Sequence, residues 1–125
     1  MILADTDVLI DYLAGAQPVA GEIEAHIRSD DLVTSAITCF ELLSGAREDR
    51  RGDAVRRLVT AIRIVPLDRE AAAQAAEVHL VLAASGFNIG MADCLIAGIA
   101  IVNDLSLLTR NRKHYERVEG LRLAR

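Results

Sequence analysis

Aromatic side chains are scarce in this sequence. They make up 3% of its 125 residues, and tryptophan is absent. Proteins that bind single-stranded nucleic acid by stacking its bases need several aromatic side chains on one surface. A stacking platform of this kind is therefore excluded, and the hydrophobic core must be built from Ala, Leu, Ile and Val.

Lysine is almost missing as well. Of the 14 basic residues only Lys113 is a lysine, and the formal net charge is -4. A protein that coats nucleic acid through a general positive field is excluded, so any polyanion must be bound locally. Mechanisms that need two placed lysines are excluded too.

Cysteines and long apolar runs are also few. Cys39 and Cys94 lie in apolar helical stretches, which predicts reduced thiols packed as small hydrophobic residues. The sequence begins without a basic leader, and no apolar run is long enough to cross a bilayer. We therefore expect a cytoplasmic protein without a membrane segment.

What is present is ordinary globular composition, with 52% hydrophobic and 26% charged residues, and we expect residues 1–125 to form one domain. Short apolar runs predict strands at residues 2–4, 32–34, 64–65, 105–109 and 121–123. Helical spacing predicts helices at residues 8–13, 19–28, 36–47, 54–62, 69–84 and 91–102. One side of the fifth helix is marked by Ala72, Ala76, His79, Leu80 and Ala83. This alternation predicts an α/β fold, a three-layer α/β/α sandwich around a mostly parallel sheet of four to five strands.

Three carboxylates fall in apolar surroundings. Asp5 follows the first strand, Glu41 lies in the third helix, and Asp93 lies in the first turn of the most apolar helix. An unpaired buried carboxylate costs several kcal/mol, and no basic residue lies between Phe87 and Val102 to neutralise Asp93. Oxygen ligands without His or Cys suit Mg²⁺ or Mn²⁺, so we predict a metal site formed by Asp5, Glu41 and Asp93. Removing an unpaired Asp93 carboxylate would leave thermal stability equal or higher.

Each acid also has a purely structural interpretation. Asp5 precedes a helix and is a good N-cap. Thr38 and Glu41 have the spacing of a capping box, although Ser35 is an equally good start for that helix. Asp93 could merely complement a helix dipole. These alternatives stay open at the level of the sequence.

Other polar residues are expected near the same edge of the sheet. Asp7 could lean toward the acids, whereas Asp11, four residues later, is expected to face solvent. Thr109 and Asn111 stand at or just past the end of the fourth strand. Because functional groups gather where parallel strands end, these side chains are predicted to accompany Asp5.

Basic residues follow the fourth strand directly. Arg110, Arg112 and Lys113 are predicted to hold phosphate groups. Histidines are too scattered for a ligand set or a catalytic dyad, and they receive no role: His26, His79 and His114. We expect His79 to be a core or boundary residue.

Four short motifs occur in order along nearly the whole chain: Asp5-Thr6-Asp7, Glu41-Leu42, Met91-Ala92-Asp93 and Thr109-Arg110-Asn111. Together they resemble the PIN-domain nucleases, and within them the VapC-type toxins of bacterial toxin-antitoxin pairs. The resemblance implies a PIN fold, a Mg²⁺- or Mn²⁺-dependent endoribonuclease, a homodimer, and a VapB-type antitoxin that blocks the acidic pocket. It also implies that Asp5, Glu41, Asp93 and Asn111 are catalytic. By the same resemblance, the phosphates held by Arg110, Arg112 and Lys113 would be those of the RNA backbone. Two positions depart from the family, since Asp7 stands where Ser or Asn is commoner and Asn111 replaces an acid of some relatives.

Three other functions are weighed against this one. Asp5-Thr6-Asp7 also resembles the start of haloacid-dehalogenase-like phosphatases, but Lys113 lacks the acidic pair that should follow a lysine there. A receiver-like module would have an acidic pocket and one lysine, yet two helices separate the first and second strands here. A non-catalytic PIN-like binding module would not need the three acids. The toxin endoribonuclease is therefore the favoured interpretation.

Overall fold

The computed structural model describes every residue from Met1 to Arg125 and contains five strands and seven helices. The strands are β1 (Ile2–Ala4), β2 (Leu32–Ser35), β3 (Arg63–Val65), β4 (Ser106–Leu108) and β5 (Arg122–Leu123). The helices are α1 (Thr6–Ala14), α2 (Val19–Arg28), α3 (Ala36–Ser44), α4 (Arg50–Ala61), α5 (Arg69–Ala84), α6 (Met91–Val102) and α7 (Arg112–Tyr115).

The five strands form one parallel sheet in the order β3-β2-β1-β4-β5. The chain extends the sheet from β1 in one direction through β2 and β3, and in the other through β4 and β5. The order therefore reverses between β1 and β4, and ligands bind outside the carboxyl ends of parallel strands at such a point. The predicted parallel sheet is confirmed, and its geometry directs attention to the ends of β1 and β4.

Hydrophobic cores fill both faces of the sheet. Neighbouring strand residues alternate between them, so that Leu3 and Leu107 face one core while Ala4 and Leu108 face the other. The first core is completed mainly by α5 and α6, and the second by α1, α2, α3 and α4. Short apolar strands are what a sheet covered on both faces requires. The three-layer α/β/α sandwich is thus confirmed.

The backbones of helices α5 and α6 approach each other closely at Gly98. A Cβ atom on Gly98 would lie 2.6 Å from the backbone oxygen of Ala71 and 2.8 Å from the Cβ of Ala75. A glycine is needed there because the two backbones meet without room for a side chain. This contact fixes α6, the helix that carries Asp93, against α5.

The core face of α5 differs from the side that its sequence marks. Its buried residues are Ala71, Ala75, Val78 and Leu82. The marked side is exposed along its whole length: Ala72, Ala76, His79, Leu80 and Ala83. The expectation that His79 lies in the core or at its boundary is therefore wrong. Alanines occur on several sides of this helix. The spacing of hydrophobic residues therefore does not distinguish the buried side from the neighbouring side, which is shifted from it by one residue.

Three helix boundaries or elements depart from expectation. Helix α3 ends at Ser44, three residues early. Helix α4 begins at Arg50, four residues early, because the Asp49 carboxylate accepts a hydrogen bond from the Gly52 backbone N–H at 2.8 Å and caps the helix. Helix α7 was not expected, since four residues are too few to show helical periodicity.

The scarcity of cysteine and of long apolar runs is reflected in the fold. Both cysteines are free, and Cys94, a residue of α6, is buried in the core between the sheet and helices α5 and α6. The prediction that Cys94 packs as a small hydrophobic residue is confirmed. No helix combines the length and the apolar character that a membrane span needs.

Candidate active site

The carboxyl ends of β1 and β4 meet at the reversal point of the sheet. Asp5 and Thr109 are the residues that directly follow these two strands, and both are buried. The Asp5 backbone N–H continues the ladder by donating to the Leu108 carbonyl oxygen at 2.9 Å. The strand pairing therefore places Asp5 and Thr109 side by side, as the sequence predicts.

Asp5 is held by two hydrogen bonds, one to each carboxylate oxygen. The backbone N–H of Thr6 donates to Oδ1 at 2.8 Å, which makes Asp5 the N-cap of α1. The Thr109 hydroxyl donates to Oδ2 at 2.8 Å. The structural interpretation of Asp5 as a cap is thus correct, but it accounts for only one of the two oxygens.

Burial makes the charged form of Asp5 costly. Only 6% of the residue is exposed, and no ion pair of the chain includes it. Burial raises the pKa of Asp5 from 3.8 to about 6, against the lowering effect of the Thr109 hydrogen bond, and the negative charges of Asp7 and Asp93 contribute to the rise. The site would therefore gain from a cation.

Asp7 lies beside Asp5 and faces the end of β4. Its Oδ2 accepts a hydrogen bond from the Arg110 backbone N–H at 3.1 Å and lies 3.4 Å from the Thr109 hydroxyl. Its Oδ1 is buried and has no hydrogen-bond partner. Asp7 does lean toward the acids, as the sequence analysis expects.

Asp11 does not face solvent. Its side chain is 17% exposed, and its Oδ2 pairs with the Nε of Arg110 at 2.9 Å. The expectation for Asp11 is wrong because the turn after β4 brings a guanidinium over α1, a contact between residues about one hundred positions apart. The Arg110 side chain is consequently engaged within the protein.

Glu41 is exposed, contrary to the expectation that it lies in apolar surroundings. Ser35 caps α3 by accepting the Thr38 backbone N–H at 3.0 Å, so Thr38 and Glu41 do not form a capping box. Instead, Glu41 Oε1 accepts a hydrogen bond from the Thr6 hydroxyl at 2.7 Å. Thr6 thereby links the carboxylates of Asp5 and Glu41, through its backbone and its side chain.

Asp93 is partly buried and paired, which corrects the expectation of an unpaired buried carboxylate. Its side chain is 24% exposed, and its Oδ2 lies 2.8 Å from the Nδ1 of His114. The partner, His114, lies in α7, 21 positions further along the chain, so the sequence of α6 alone does not reveal it. His114 was assigned no role, and the motif stretch after Thr109 was the one signal that could have pointed to it.

Replacing Asp93 by alanine is expected to lower stability by about 1 kcal/mol, because the bond to His114 is lost and little desolvation is relieved. Thermal unfolding in a chelator checks this. Asp31→Ala is the matched control, since it removes a similar bond at 2.9 Å to His26 away from the site. Both variants should lose comparable stability, and only Asp93→Ala should lose cation binding. An Asp93→Ala protein as stable as the wild type would contradict the pairing.

Thr109 organises the turn after β4. Its hydroxyl oxygen accepts the backbone N–H of Asn111 at 3.0 Å while the hydroxyl proton is directed to Asp5. Asn111 is exposed and its side chain makes no capping bond to α7. Asn111 is thus placed at the edge of the site with a free amide.

The three predicted RNA contacts differ in their availability. The Arg112 Nη1 donates to the carbonyl oxygen of Ala124 at 2.6 Å, and Arg110 is paired with Asp11. Lys113 is exposed and makes no hydrogen bond or ion pair. Of this group, Lys113 is therefore the cation most free to meet a phosphate.

Tyr115 is a site residue that no sequence motif indicates. It is 1% exposed, and its hydroxyl is buried without a hydrogen-bond partner. Burial raises its pKa, and the charges of Asp5 and Asp93 raise it further. Tyr115 Oη and Asp7 Oδ1 are the only two buried side-chain polar atoms of the chain without a partner. Both adjoin Asp5.

The carboxylate oxygens of the site are the kind of ligand that a hard divalent cation prefers. Asp5, Asp7 and Asp93 supply oxygen atoms that influence one another, and one buried oxygen of Asp7 is unpartnered. As the side chains stand, no three His, Cys, Asp or Glu residues converge closely enough to hold a metal ion. Mg²⁺ rarely needs such a cage, because it keeps several waters and takes one or two protein carboxylates with substrate phosphates.

Comparison with known proteins agrees with this arrangement. The PIN domain model matches residues 2–121. Ribonuclease VapC10 of Mycobacterium tuberculosis is 34% identical over 122 residues, which cover 98% of this chain and 91% of that protein.

Solved structures share the fold. VapBC-1 from nontypeable Haemophilus influenzae superposes with a TM-score of 0.80 at 26% identity, covering 99% of this chain and 97% of that one. A DNA-bound VapBC from Salmonella typhimurium gives a TM-score of 0.85 at 23% identity, covering 98% and 96%. The family model, the sequence relative and the shared fold lead to one assignment: the chain belongs to the PIN domain family, among the relatives of the VapC ribonucleases.

Proposed function

We propose that this protein is a divalent-cation-dependent endoribonuclease that acts as the toxin of a toxin-antitoxin pair. The observation that carries the proposal is Asp5, a buried carboxylate with a raised pKa at the reversal point of the sheet, without a basic partner. The protein retains this group at a cost in free energy, which is typical of functional sites. The ribonuclease relatives supply the reaction class.

The cation that fits best is Mg²⁺, with Mn²⁺ as a substitute, because all candidate ligands are oxygen atoms. Asp5 and Asp93 would hold it, with Glu41 as the third candidate. When bound, such a cation makes a water nucleophilic and neutralises the charge that develops on the phosphate.

The remaining work falls to side chains of the chain itself. The hydrogen bonds from Thr6 and Thr109 fix the orientation of the Asp5 carboxylate. Glu41 accepts a hydrogen bond from the Thr6 hydroxyl with one oxygen. Its other oxygen would orient the attacking water. Asn111 offers an amide to orient water or phosphate, and Lys113 offers a positive charge to the RNA backbone.

The proposed partner is a VapB-type antitoxin, since the structural relatives are VapBC complexes. Phe40 is 70% exposed and directly precedes Glu41, so apolar surface for a partner lies next to a candidate catalytic residue. A homodimer is proposed by the same resemblance. Occupation of this surface would cover the acids, which is how an antitoxin would block cleavage.

The sheet order argues against a receiver module. Such modules have the order 2-1-3-4-5, whereas this sheet has 3-2-1-4-5. A haloacid-dehalogenase-like phosphatase lacks support as well, because Lys113 lies in the short α7 and no acidic pair follows it. A non-catalytic PIN-like module remains an outcome of the experiment below.

We expect the protein to cleave a structured RNA in the presence of Mg²⁺ or Mn²⁺. Cleavage should stop in EDTA and resume when excess Mg²⁺ is added, because the acids alone leave the phosphate charge unneutralised. Gel analysis of end-labelled RNA measures this. An Asp5→Asn protein purified in the same way controls for contaminating nucleases. Undiminished cleavage in EDTA would refute the cation mechanism, and no cleavage under any condition would favour the binding module.

A further inference from the structure

The buried hydroxyl of Tyr115 has no use in the mechanism described so far. Tyr115 is the largest fully buried side chain of the chain and packs in the core beneath α5 and α6. A phenylalanine would fill the same space without bringing a polar atom into it. A buried hydroxyl without a partner is unfavourable, so its presence calls for a partner that arrives later.

The location of the hydroxyl identifies that partner. His114, the preceding residue, is bonded to Asp93 Oδ2 at 2.8 Å and so ties α7 to the start of α6. The Tyr115 side chain extends inward from α7, where its hydroxyl is buried and meets the geometry of a hydrogen bond with no side chain. Asp5 and Asp93 are nevertheless near enough for both carboxylates to raise its pKa, through their charges and as neighbouring acceptors. The unpaired hydroxyl therefore adjoins both carboxylates that are proposed to hold the cation.

Asp93 is the better acceptor of the two. Both oxygens of Asp5 already accept hydrogen bonds, from Thr6 and from Thr109. Asp93 accepts one bond, from His114 to Oδ2, and its Oδ1 has no donor. Asp93 Oδ1 is therefore the oxygen that is left to accept a hydrogen bond from Tyr115.

We propose that Tyr115 is a positioning residue: its hydroxyl donates a hydrogen bond to the Asp93 carboxylate when a divalent cation binds, and thereby orients that carboxylate toward the cation. The proposal rests on the proposed function, because it needs a cation at Asp5 and Asp93. Hydrogen bonds that orient ligating carboxylates from behind affect metal affinity by about 10- to 100-fold. For one neutral hydroxyl we expect the lower end of that range.

Tyr115→Phe tests the proposal, and the chain offers a matched control. The only other tyrosine is Tyr12, whose hydroxyl donates to Glu24 at 3.0 Å. Isothermal titration with Mg²⁺ should show an affinity about tenfold weaker in Tyr115→Phe and unchanged in Tyr12→Phe. In EDTA the unfolding temperature of Tyr115→Phe should be equal to or above that of the wild type, because an unpartnered hydroxyl has been removed.

Tyrosine emission gives an independent readout that leaves Tyr115 in place. Since tryptophan is absent, Tyr115 is the only source of tyrosine emission in the Tyr12→Phe protein. Addition of Mg²⁺ should change its emission as the hydroxyl gains an acceptor. The Tyr115→Phe protein, whose emission comes from Tyr12 alone, should show no change.

The outcomes separate this proposal from the function on which it rests. If the wild type binds Mg²⁺ and cleaves RNA while Tyr115→Phe binds Mg²⁺ equally well, the positioning role is overturned and the nuclease stands. A marked fall in the unfolding temperature of Tyr115→Phe in EDTA would also overturn it, since the hydroxyl would then serve the cation-free fold. If the wild type binds no Mg²⁺, both proposals fail.

Discussion

Replacing Asp5 by asparagine is expected to lower the rate of RNA cleavage by about 10³-fold, because a cation held there supplies several kcal/mol of transition-state stabilisation. The fold should survive. Asparagine caps helices as well as aspartate does, so the bond from the Thr6 backbone to Oδ1 is retained. On the other side the amide would donate to the Thr109 hydroxyl oxygen. Single-turnover cleavage in saturating Mg²⁺ measures the loss.

Asp68→Asn is the matched control for this experiment. Asp68 caps α5 by accepting the Ala71 backbone N–H at 2.9 Å, just as Asp5 caps α1, but it lies outside the site. Asp68→Asn should cleave RNA at the wild-type rate. If Asp5→Asn retained most of the activity, or if both variants lost it equally, Asp5 would be a structural cap and the assignment of the active site would be wrong.

Asp5→Asn is also expected to stabilise the cation-free protein, by up to about 3 kcal/mol above pH 6. A carboxyl whose pKa rises from 3.8 to about 6 on folding binds its proton more tightly in the folded state. Stability from this group is therefore present below about pH 4 and is lost as the pH rises from about 4 to about 6. The shift of about two units corresponds to about 3 kcal/mol at 1.36 kcal/mol per unit.

Chemical unfolding in EDTA at several pH values tests this second result. The stability difference between Asp5→Asn and the wild type should be large near pH 8 and close to zero near pH 4. Saturating Mg²⁺ should narrow the difference at pH 8, because the cation binds and stabilises the wild type preferentially. A variant less stable than the wild type at pH 8 would show that Asp5 contributes more as a hydrogen-bond acceptor than it costs in desolvation.

For Asp5→Asn, the expected change in activity and the expected change in cation-free stability have opposite signs. Activity falls because the carboxylate is lost, whereas cation-free stability rises because its desolvation is relieved. A residue kept for the fold alone would not behave in this way. The pair of measurements therefore distinguishes a functional acid from a structural one more sharply than either measurement does alone.

The fold could be predicted from the sequence to a large extent. Helices α2, α5 and α6 have the predicted bounds, because each begins and ends at clear changes in polarity or at Pro, Ser-Gly or Gly residues. The parallel sheet follows from short apolar runs that alternate with helices. Local rules were enough here, since each element carries its own hydrophobic pattern.

The buried face of a helix and the presence of a very short helix were harder to predict from the sequence. The buried side of α5 lies one residue away from the marked one, because an alanine-rich helix offers similar surfaces all round and only the contact with Gly98 of α6 selects one. Helix α7 is too short to have a period, although it carries His114 and Tyr115 into the site. Neighbours in space decided both outcomes.

For the site, the sequence by itself determined which carboxylates are available. It also determined that Asp5 and Thr109 lie at the same edge of the sheet, because residues that follow adjacent parallel strands meet there. Only the tertiary structure decided their partners: His114 for Asp93, Thr6 for Glu41, and a hydroxyl without a partner at Tyr115. The physical reason is the distance along the chain over which each kind of interaction acts. Hydrophobic periodicity and capping act over a few residues, whereas the pairing and desolvation of a charge depend on whatever side chains the completed fold brings within a few ångströms.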